Sequence, residues 1–335
     1  MTPRFHPALV NGPFDDPTVY VDFLHERRAL LFDLGDIAPL PPRKVLRVSH
    51  VFVSHTHVDH FIGFDQLVRL CLGRDKRLHL VGPPGFVAQV AHRLAAYTWN
   101  LVESYPTDFT VVATELQPNG IVQSASFRCR KGFVREQDCQ GEATDGIVLD
   151  EETFRVRASV LDHGIPCLAY ALEEKNHVNI MKNRLDELGL PTGPWLAAFK
   201  RAVLRGDADG EPIRIQWREE GMVRDRQFSV DELRDAVARV VPGQKIAYVT
   251  DAAPTDANGD QIAALAQGAD YLFIEATFLD ADRERAAERR HLTARLAGEL
   301  ARRAGVARVI PMHYSPKYRG REGLLEEELA RAFSG

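Results

Sequence analysis

The stretch Val51-Phe52-Val53-Ser54-His55-Thr56-His57-Val58-Asp59-His60 runs from an apolar segment straight into three histidines and one aspartate within six positions. In an extended backbone, side chains two apart point the same way, so His55 and His57 can grip one ion together. Asp59 and His60 follow where the chain turns helical, which re-aims them toward a second, adjacent ion. So many ionisable groups at one strand end repel one another or need desolvation unless a cation neutralises them. Imidazole nitrogen with carboxylate oxygen is the donor set of zinc, and manganese or iron(II) accept it too.

Two ions need more donors than one loop supplies, and three other apolar strands end on suitable residues. Val160-Leu161 leads to His163, Ala247-Tyr248-Val249-Thr250 to Asp251, and Val309-Ile310-Pro311-Met312 to His313. As a set with the loop residues they complete two sites of four donors, one carboxylate being shared. Each has the same pattern, an apolar strand delivering a ligand type at its C-terminal edge.

The surrounding pattern is that of an α/β chain. Tyr20–Phe23 and Ala29–Phe32, joined across the polar 25–28 segment, read as a hairpin. Val45–Ser54 reads as a buried strand. From Phe61, the residues Phe64, Leu67, Val68, Cys71 and Leu72 recur at helical spacing until Gly73. Leu78–Val81 is a short strand, 82–85 a turn and Phe86–Thr98 a helix. Phe154–Leu161 and Cys167–Leu172 flank a turn at 163–166. Helices are expected over Met181–Leu188, Trp195–Leu204 and Val230–Val240, the last two separated by a turn cluster at 206–210. The final third alternates strand and acid: Lys245–Thr250 before Asp251, Tyr271–Ile274 before Glu275, a helix opened by His291, and Val306–Met312 before His313.

At 335 residues and 45% hydrophobic, the chain is long enough for one large α/β domain or two units. A net charge of -5 does not mark a polyanion binder. The N-terminal segment lacks a basic and apolar leader, and no run of 18 or more apolar residues occurs, so no membrane contact and a cytoplasmic location are expected. The four cysteines form no C-x-x-C pair and are expected as reduced thiols, a Cys129–Cys139 metal clip being the alternative.

Ser54-His55-Thr56-His57-Val58-Asp59-His60 resembles the H-x-H-x-D-H signature of the metallo-β-lactamase superfamily. The likeness extends to its ribonuclease Z branch, endonucleases that remove 3′ trailers from precursor tRNA. His163-Gly164-Ile165-Pro166 with Tyr170 is similar to that branch's histidine-x-x-proline turn, Ala247–Asp251 to its Y-x-G-D segment, and Ile274-Glu275-Ala276-Thr277 to its H-E-A-T. His291-Leu292-Thr293-Ala294 resembles its H-S-T-A, and His313-Tyr314-Ser315-Pro316-Lys317-Tyr318 its H-F-S-x-R-Y. These segments occur in the family's order over nearly the whole chain. Departures fall at Ile274, Leu292, Thr250 and Leu34-Gly35-Asp36-Ile37, none at a metal donor.

The resemblance implies an αββα sandwich over 1–335, with metals at one edge of the paired sheets. His55, His57 and His163 would bind one ion, Asp59, His60 and His313 the other, and Asp251 would bridge two Zn2+. Asp59 would orient water and accept its proton, while His291, held by Glu275, would protonate the leaving oxygen. Residues 174–242 occupy the place of the family's tRNA-gripping arm; Lys200, Arg201 and Arg205 there, with Ser315 and Lys317, are expected at the substrate. A homodimer is expected as the family's common assembly. Precursor tRNA is the expected partner, the alternatives being a small phosphodiester such as a cyclic nucleotide, a lactone or thioester, or a non-catalytic RNA-binding role.

Overall fold

Short apolar runs bounded by turns become the strands of two sheets. In the computed structural model, which describes residues 3–24, 26–206, 211–219 and 221–335, the first sheet has eight strands in sequence order. These are β1 (Phe5–Leu9), β2 (Val19–Phe23), β3 (Ala29–Phe32), β4 (Val48–Phe52), β5 (Arg77–Gly82), β6 (Thr110–Leu116), β7 (Ile121–Arg128) and β8 (Arg135–Glu142). β3 to β6 run parallel. All four residues of β3 are buried, because both faces of the sheet are covered. Helices α1 (Pro42–Val45), α2 (Val58–Phe61), α3 (Phe64–Cys71) and α4 (Phe86–Ala95) share a hydrophobic core with Leu31, Val51 and Leu80 of this sheet.

The chain next forms β9 (Ile147–Asp150), β10 (Phe154–Asp162) and β11 (Pro166–Glu174). It then builds β12 (Asn176–Ile180), α5 (Lys182–Glu187), α6 (Trp195–Arg205), β13 (Ile213–Glu219), β14 (Met222–Phe228), α7 (Val230–Val237) and β15 (Ala238–Pro242). The last third supplies β16 (Lys245–Val249), α8 (Asp256–Ala266), β17 (Tyr271–Glu275), α9 (Arg283–Arg289), α10 (Ala294–Arg303), β18 (Val309–Met312) and α11 (Glu322–Ser334). The second sheet has the order β18-β17-β16-β11-β10-β9, with β16, β17 and β18 parallel. Leu300 of α10 and Leu325 of α11 share a second core with Val249 and Ile274.

Aromatic side chains join the two sheets face to face. Phe32 stacks on Tyr248 with ring centroids 5.7 Å apart, and Phe52 lies 5.4 Å from Tyr170. Both buried hydroxyls are satisfied across the interface: Tyr170 donates to the Val53 carbonyl and Tyr248 to Asp33 Oδ2, each at 2.7 Å. The layers are helix, sheet, sheet and helix, the αββα sandwich expected from the motifs.

Two compact units can be distinguished. One comprises Pro3–Leu149, Val156–Leu172 and Lys245–Gly335, and the other Asp150–Arg155 and Glu173–Gln244. The second has its own core of Leu185, Phe199, Ile215, Leu233 and Val237. Its β13 and β14 form an antiparallel hairpin, β12 pairs with β15, and Ser229 with Glu232 forms a capping box at α7.

Several local expectations need correction. The helix read from Phe61 to Leu72 is broken, because Gly63 N donates to the Leu34 carbonyl at 2.9 Å and a Cβ on Gly63 would stand 2.2 Å from the Gly35 carbonyl oxygen. The helix read over Val230–Val240 stops at Val237, since the β-branched residues beyond it find a strand partner in β12. Val45 belongs to α1, and α10 starts after Thr293, whose hydroxyl accepts from Leu296 N, not at His291. The expected turns at 206–210 and 25–28 include residues 207–210 and His25, which lie outside the described residues. Cys71, Cys129 and Cys167 are buried free thiols, and Cys139 is exposed and free. Among the described residues no helix is long and apolar enough to cross a membrane.

Candidate metal centre

Strand ends of both sheets meet at one edge, and three residues just beyond them adopt left-handed backbone. Asp33, Asp251 and His313, following β3, β16 and β18, have φ of 57°, 48° and 57°. Non-glycine residues seldom accept this conformation, and it clusters where a turn must aim a side chain into a site.

Asp251, almost fully buried, stands at the middle. Its Oδ2 lies 3.5 Å from His55 Nε2 and 3.4 Å from His163 Nε2, while Oδ1 lies 3.6 Å from both His60 Nε2 and His313 Nδ1. Asp59 Oδ2 approaches His60 Nε2 at 3.5 Å and His313 Nε2 at 3.4 Å. The structure thus brings all seven expected donors together. Within each of the groups His55, His57, His163, Asp251 and Asp59, His60, His313, one ligand atom per residue falls within 4.8 Å of the others. A third such group, Asp251, Glu275, His291 and His313, overlaps both.

The other ring nitrogens fix the tautomers. His163 Nδ1 donates to the Arg290 carbonyl at 2.8 Å, and His60 Nδ1 pairs with Asp33 Oδ2 at 2.7 Å, so each Nε2 is left to face the centre. Asp33 is a buried residue that the sequence reading passed over. It also accepts from Ser54 N at 2.6 Å, Ser54 Oγ at 2.8 Å and the Tyr248 hydroxyl. His55 Nδ1 rests 3.1 Å from Ser54 Oγ and 3.8 Å from Cys167 Sγ. The signal that would have found Asp33 is the one used elsewhere, an apolar strand delivering an acid at its end.

Negative charge is concentrated among the imidazoles. Burial lowers His60 and His313, but Asp251 first, with Asp33 beside His60 and Asp59 beside His313, outweighs it and raises both, His313 to about 10, so these rings take a proton where the carboxylates face no other cation. Burial alone raises the Asp251 carboxyl, but His313, His60, His291 and His55 around it outweigh this and hold it well below the usual carboxylate range. Burial, then the neighbouring His60, pushes His55 down to about 2, which keeps it in the neutral, ligating form. The Nε2 atoms of His55 and His60, one in each donor group, are buried and have no hydrogen-bond partner. Buried orphans of this kind are costly unless a ligand meets them. The residues therefore fit a pair of metal ions.

Next to the donors stands a second arrangement. His291 Nδ1 lies 2.8 Å from Glu275 Oε2, and the His291 ring packs 5.1 Å from that of His163 and 5.4 Å from that of His313. Glu275 is fully buried; its Oε1 accepts from Ala252 N at 2.7 Å and its Oε2 lies 2.7 Å from Thr277 Oγ1. Burial lowers the His291 imidazole, but the Glu275 charge and hydrogen bond outweigh it and raise the ring above its ordinary value. A cleft of about 470 Å³, lined by Asp59, His291, His313 and Ser315 among others, opens in front.

The other expected substrate contacts are placed differently. Lys317 Nζ is held by both oxygens of Asp282, at 2.6 and 2.7 Å. In the smaller unit, Arg201 and Arg205 are exposed and one turn apart on α6, Arg205 pairs with Glu152 at 3.6 Å, and Lys200 is half-buried.

Comparison with known proteins bears on the family and the fold. The family described as Beta-lactamase superfamily domain matches residues 227–314. Ribonuclease Z of Deinococcus radiodurans is 31% identical over 317 residues, 93% of this chain and 90% of that protein. Ribonuclease Z of Thermobifida fusca is 32% identical over 289 residues, 86% and 74% of the two chains. Among solved structures, the metallo-beta-lactamase fold protein YhfI of Bacillus subtilis superposes with a TM-score of 0.55 at 14% identity, covering 98% and 92%. The short form of human tRNase Z gives 0.50 at 17%, covering 94% and 93%. These last two show the fold alone. With the donor set assembled and more than nine-tenths of the chain aligned to a relative at this identity, the protein belongs to the ribonuclease Z family of metal-dependent hydrolases in the β-lactamase superfamily.

Proposed function

We propose that the protein removes 3′ trailers from precursor tRNA in the cytoplasm, using two zinc ions. His55, His57 and His163 would hold one and Asp59, His60 and His313 the other, with Asp251 between them. Ions held there supply the charge that acidifies a water and stabilises the negative charge developing on the phosphate. Asp59, partly exposed at the mouth of the donor cluster, orients that water and takes its proton. His291, whose imidazole Glu275 shifts toward the protonated form, gives a proton from Nε2 to the departing ribose oxygen. Residues 174–242 serve as the substrate arm, with the exposed Arg201 as a phosphate contact.

The observation that carries this reading is the His291–Glu275 pair beside the donors. Hydrolysis of a lactone or thioester has less need of a separate acid, whereas an alkoxide leaving a phosphodiester does. The test is to incubate purified protein with a precursor tRNA and with an activated aryl phosphodiester. Cleavage of the RNA at the 3′ end of the mature sequence, with kcat/KM far above that for the aryl ester, is expected. Aryl ester turnover without RNA cleavage would instead establish a small-phosphodiester enzyme.

A further inference from the structure

The cleft in front of His291 is lined by groups of both charges. Asp15, Asp16 and Asp59 line it together with Arg285 and Arg289, which are four residues apart on α9 and hence on one helix face, and Asp15 is paired with Arg319 at 3.6 Å. Neighbouring cations are engaged: Lys317 by Asp282 at 2.6 Å, Arg290 by Asp162 at 3.4 Å, and Arg283 by Asp280 at 4.0 Å. The Arg289 side chain has no ion pair or hydrogen bond among the described residues. Arg285 lies over the Phe278 ring, 6.0 Å from its centroid, and the acid whose charge it feels, Asp282, is already bonded to Lys317 and Tyr318.

These arginines share the cleft with Asp59 and His313 of the donor cluster. The His291 ring lies 6.2 Å from that of Phe278, over which Arg285 is placed, and 5.1 Å and 5.4 Å from those of His163 and His313, so it neighbours both the arginine's platform and the donor histidines. We propose that Arg285 and Arg289 grip a phosphate of the substrate chain next to the scissile one, so that the cleft selects a polynucleotide over a phosphodiester carrying a single phosphate. This rests on the phosphodiesterase reading above. A guanidinium free of carboxylates offers a planar fork that fits phosphate oxygens, and the Asp16 carboxylate in the same cleft disfavours a polyanion beside it, so the arginines are where the strand is held.

The experiment compares a precursor tRNA with bis(4-nitrophenyl) phosphate as substrates. The enzymes are wild type, Arg285→Ala/Arg289→Ala, Arg285→Lys/Arg289→Lys, and Arg283→Ala as a control on the same helix. The double alanine variant should raise KM for RNA ~10-fold or more relative to its effect on the aryl ester. It should also flatten the dependence of log K for RNA on log salt by about one to two units of slope, one for each lost contact. The lysine pair should keep the slope and recover part of the affinity, having charge without the fork. Arg283→Ala should move the slope by less than about half a unit, against one per phosphate contact. Unchanged RNA KM and slope in the double alanine variant, or an equal loss in Arg283→Ala, would overturn the inference while leaving the RNA reading intact. A wild-type protein that turns over the aryl ester and not the RNA would overturn both.

Discussion

His291 Nδ1 lies 2.8 Å from Glu275 Oε2, and Glu275 Oε1 in turn accepts from the amide of Ala252, the residue after Asp251. One buried carboxylate thus ties the backbone beside the central aspartate to a partly exposed imidazole. His291→Ala should cut hydrolysis of an unactivated phosphodiester by ~10²-fold or more while metal content stays at wild-type level. Because Asp251, Glu275, His291 and His313 also fall within ligand distance of one another, metal analysis of this variant decides the matter. Loss of an ion would make His291 a ligand.

Asp251 presents Oδ2 to His55 and His163 and Oδ1 to His60 and His313. Asp251→Ala should therefore lower metal content from about two ions per chain toward none, measured by elemental analysis after dialysis. Retention of one full equivalent would mean that the carboxylate serves a single ion.

Asp33 is the acceptor for Ser54 N, Ser54 Oγ, His60 Nδ1 and Tyr248 Oη. Asp33→Ala leaves these buried groups without a partner and should cost on the order of 3 kcal/mol or more in urea unfolding, with weaker binding of the ion held by His60. Tyr248→Phe removes one of the four bonds and should cost about 1–2 kcal/mol, with metal content unchanged. Equal effects of the two substitutions would contradict the role given to Asp33.

His50 sits away from the donors, its ring stacked 4.7 Å from that of His79 and its Nδ1 3.4 Å from Arg28. Burial, then the His79, Arg28 and Lys76 charges, pushes it from the ordinary 6.5 to about 3. The unfolded chain takes up this proton first as pH falls, so the stability due to neutral His50 is present above 6.5 and is lost from there toward about 3. His50→Gln, which keeps an acceptor for Arg28, should lose less stability on acidification. The difference from wild type between pH 6.5 and pH 5 should be up to about 2 kcal/mol. Parallel stability curves for the two proteins would show that His50 titrates normally.

Much of the sandwich and the donor cluster could be read from the sequence because strand-end polar residues follow uninterrupted apolar runs, as in Val51-Phe52-Val53 before the histidines. Asp33 escaped because a single acid after Leu31-Phe32 is locally no different from a solvated strand end; only the Tyr248 hydroxyl, 215 residues away, marks it as buried. The hairpin of β13 and β14 escaped for a similar reason. Its alternation is masked by Arg214, Arg218, Arg224 and Arg226, and its apolar positions Ile213 and Ile215 face the small core of the second unit. Arg285 and Arg289 read as an ordinary charged helix face until the cleft beside His291 is seen.

The most direct test of the account replaces the leaving 3′ oxygen of an RNA substrate with sulfur, which departs as a thiolate without needing a proton. His291→Ala should cleave this substrate within a few-fold of wild type while remaining ~10²-fold slower on the oxygen ester, as expected where a general acid has been removed. An equal loss on both substrates would show that His291 does not protonate the leaving group and would contradict the proposed chemistry.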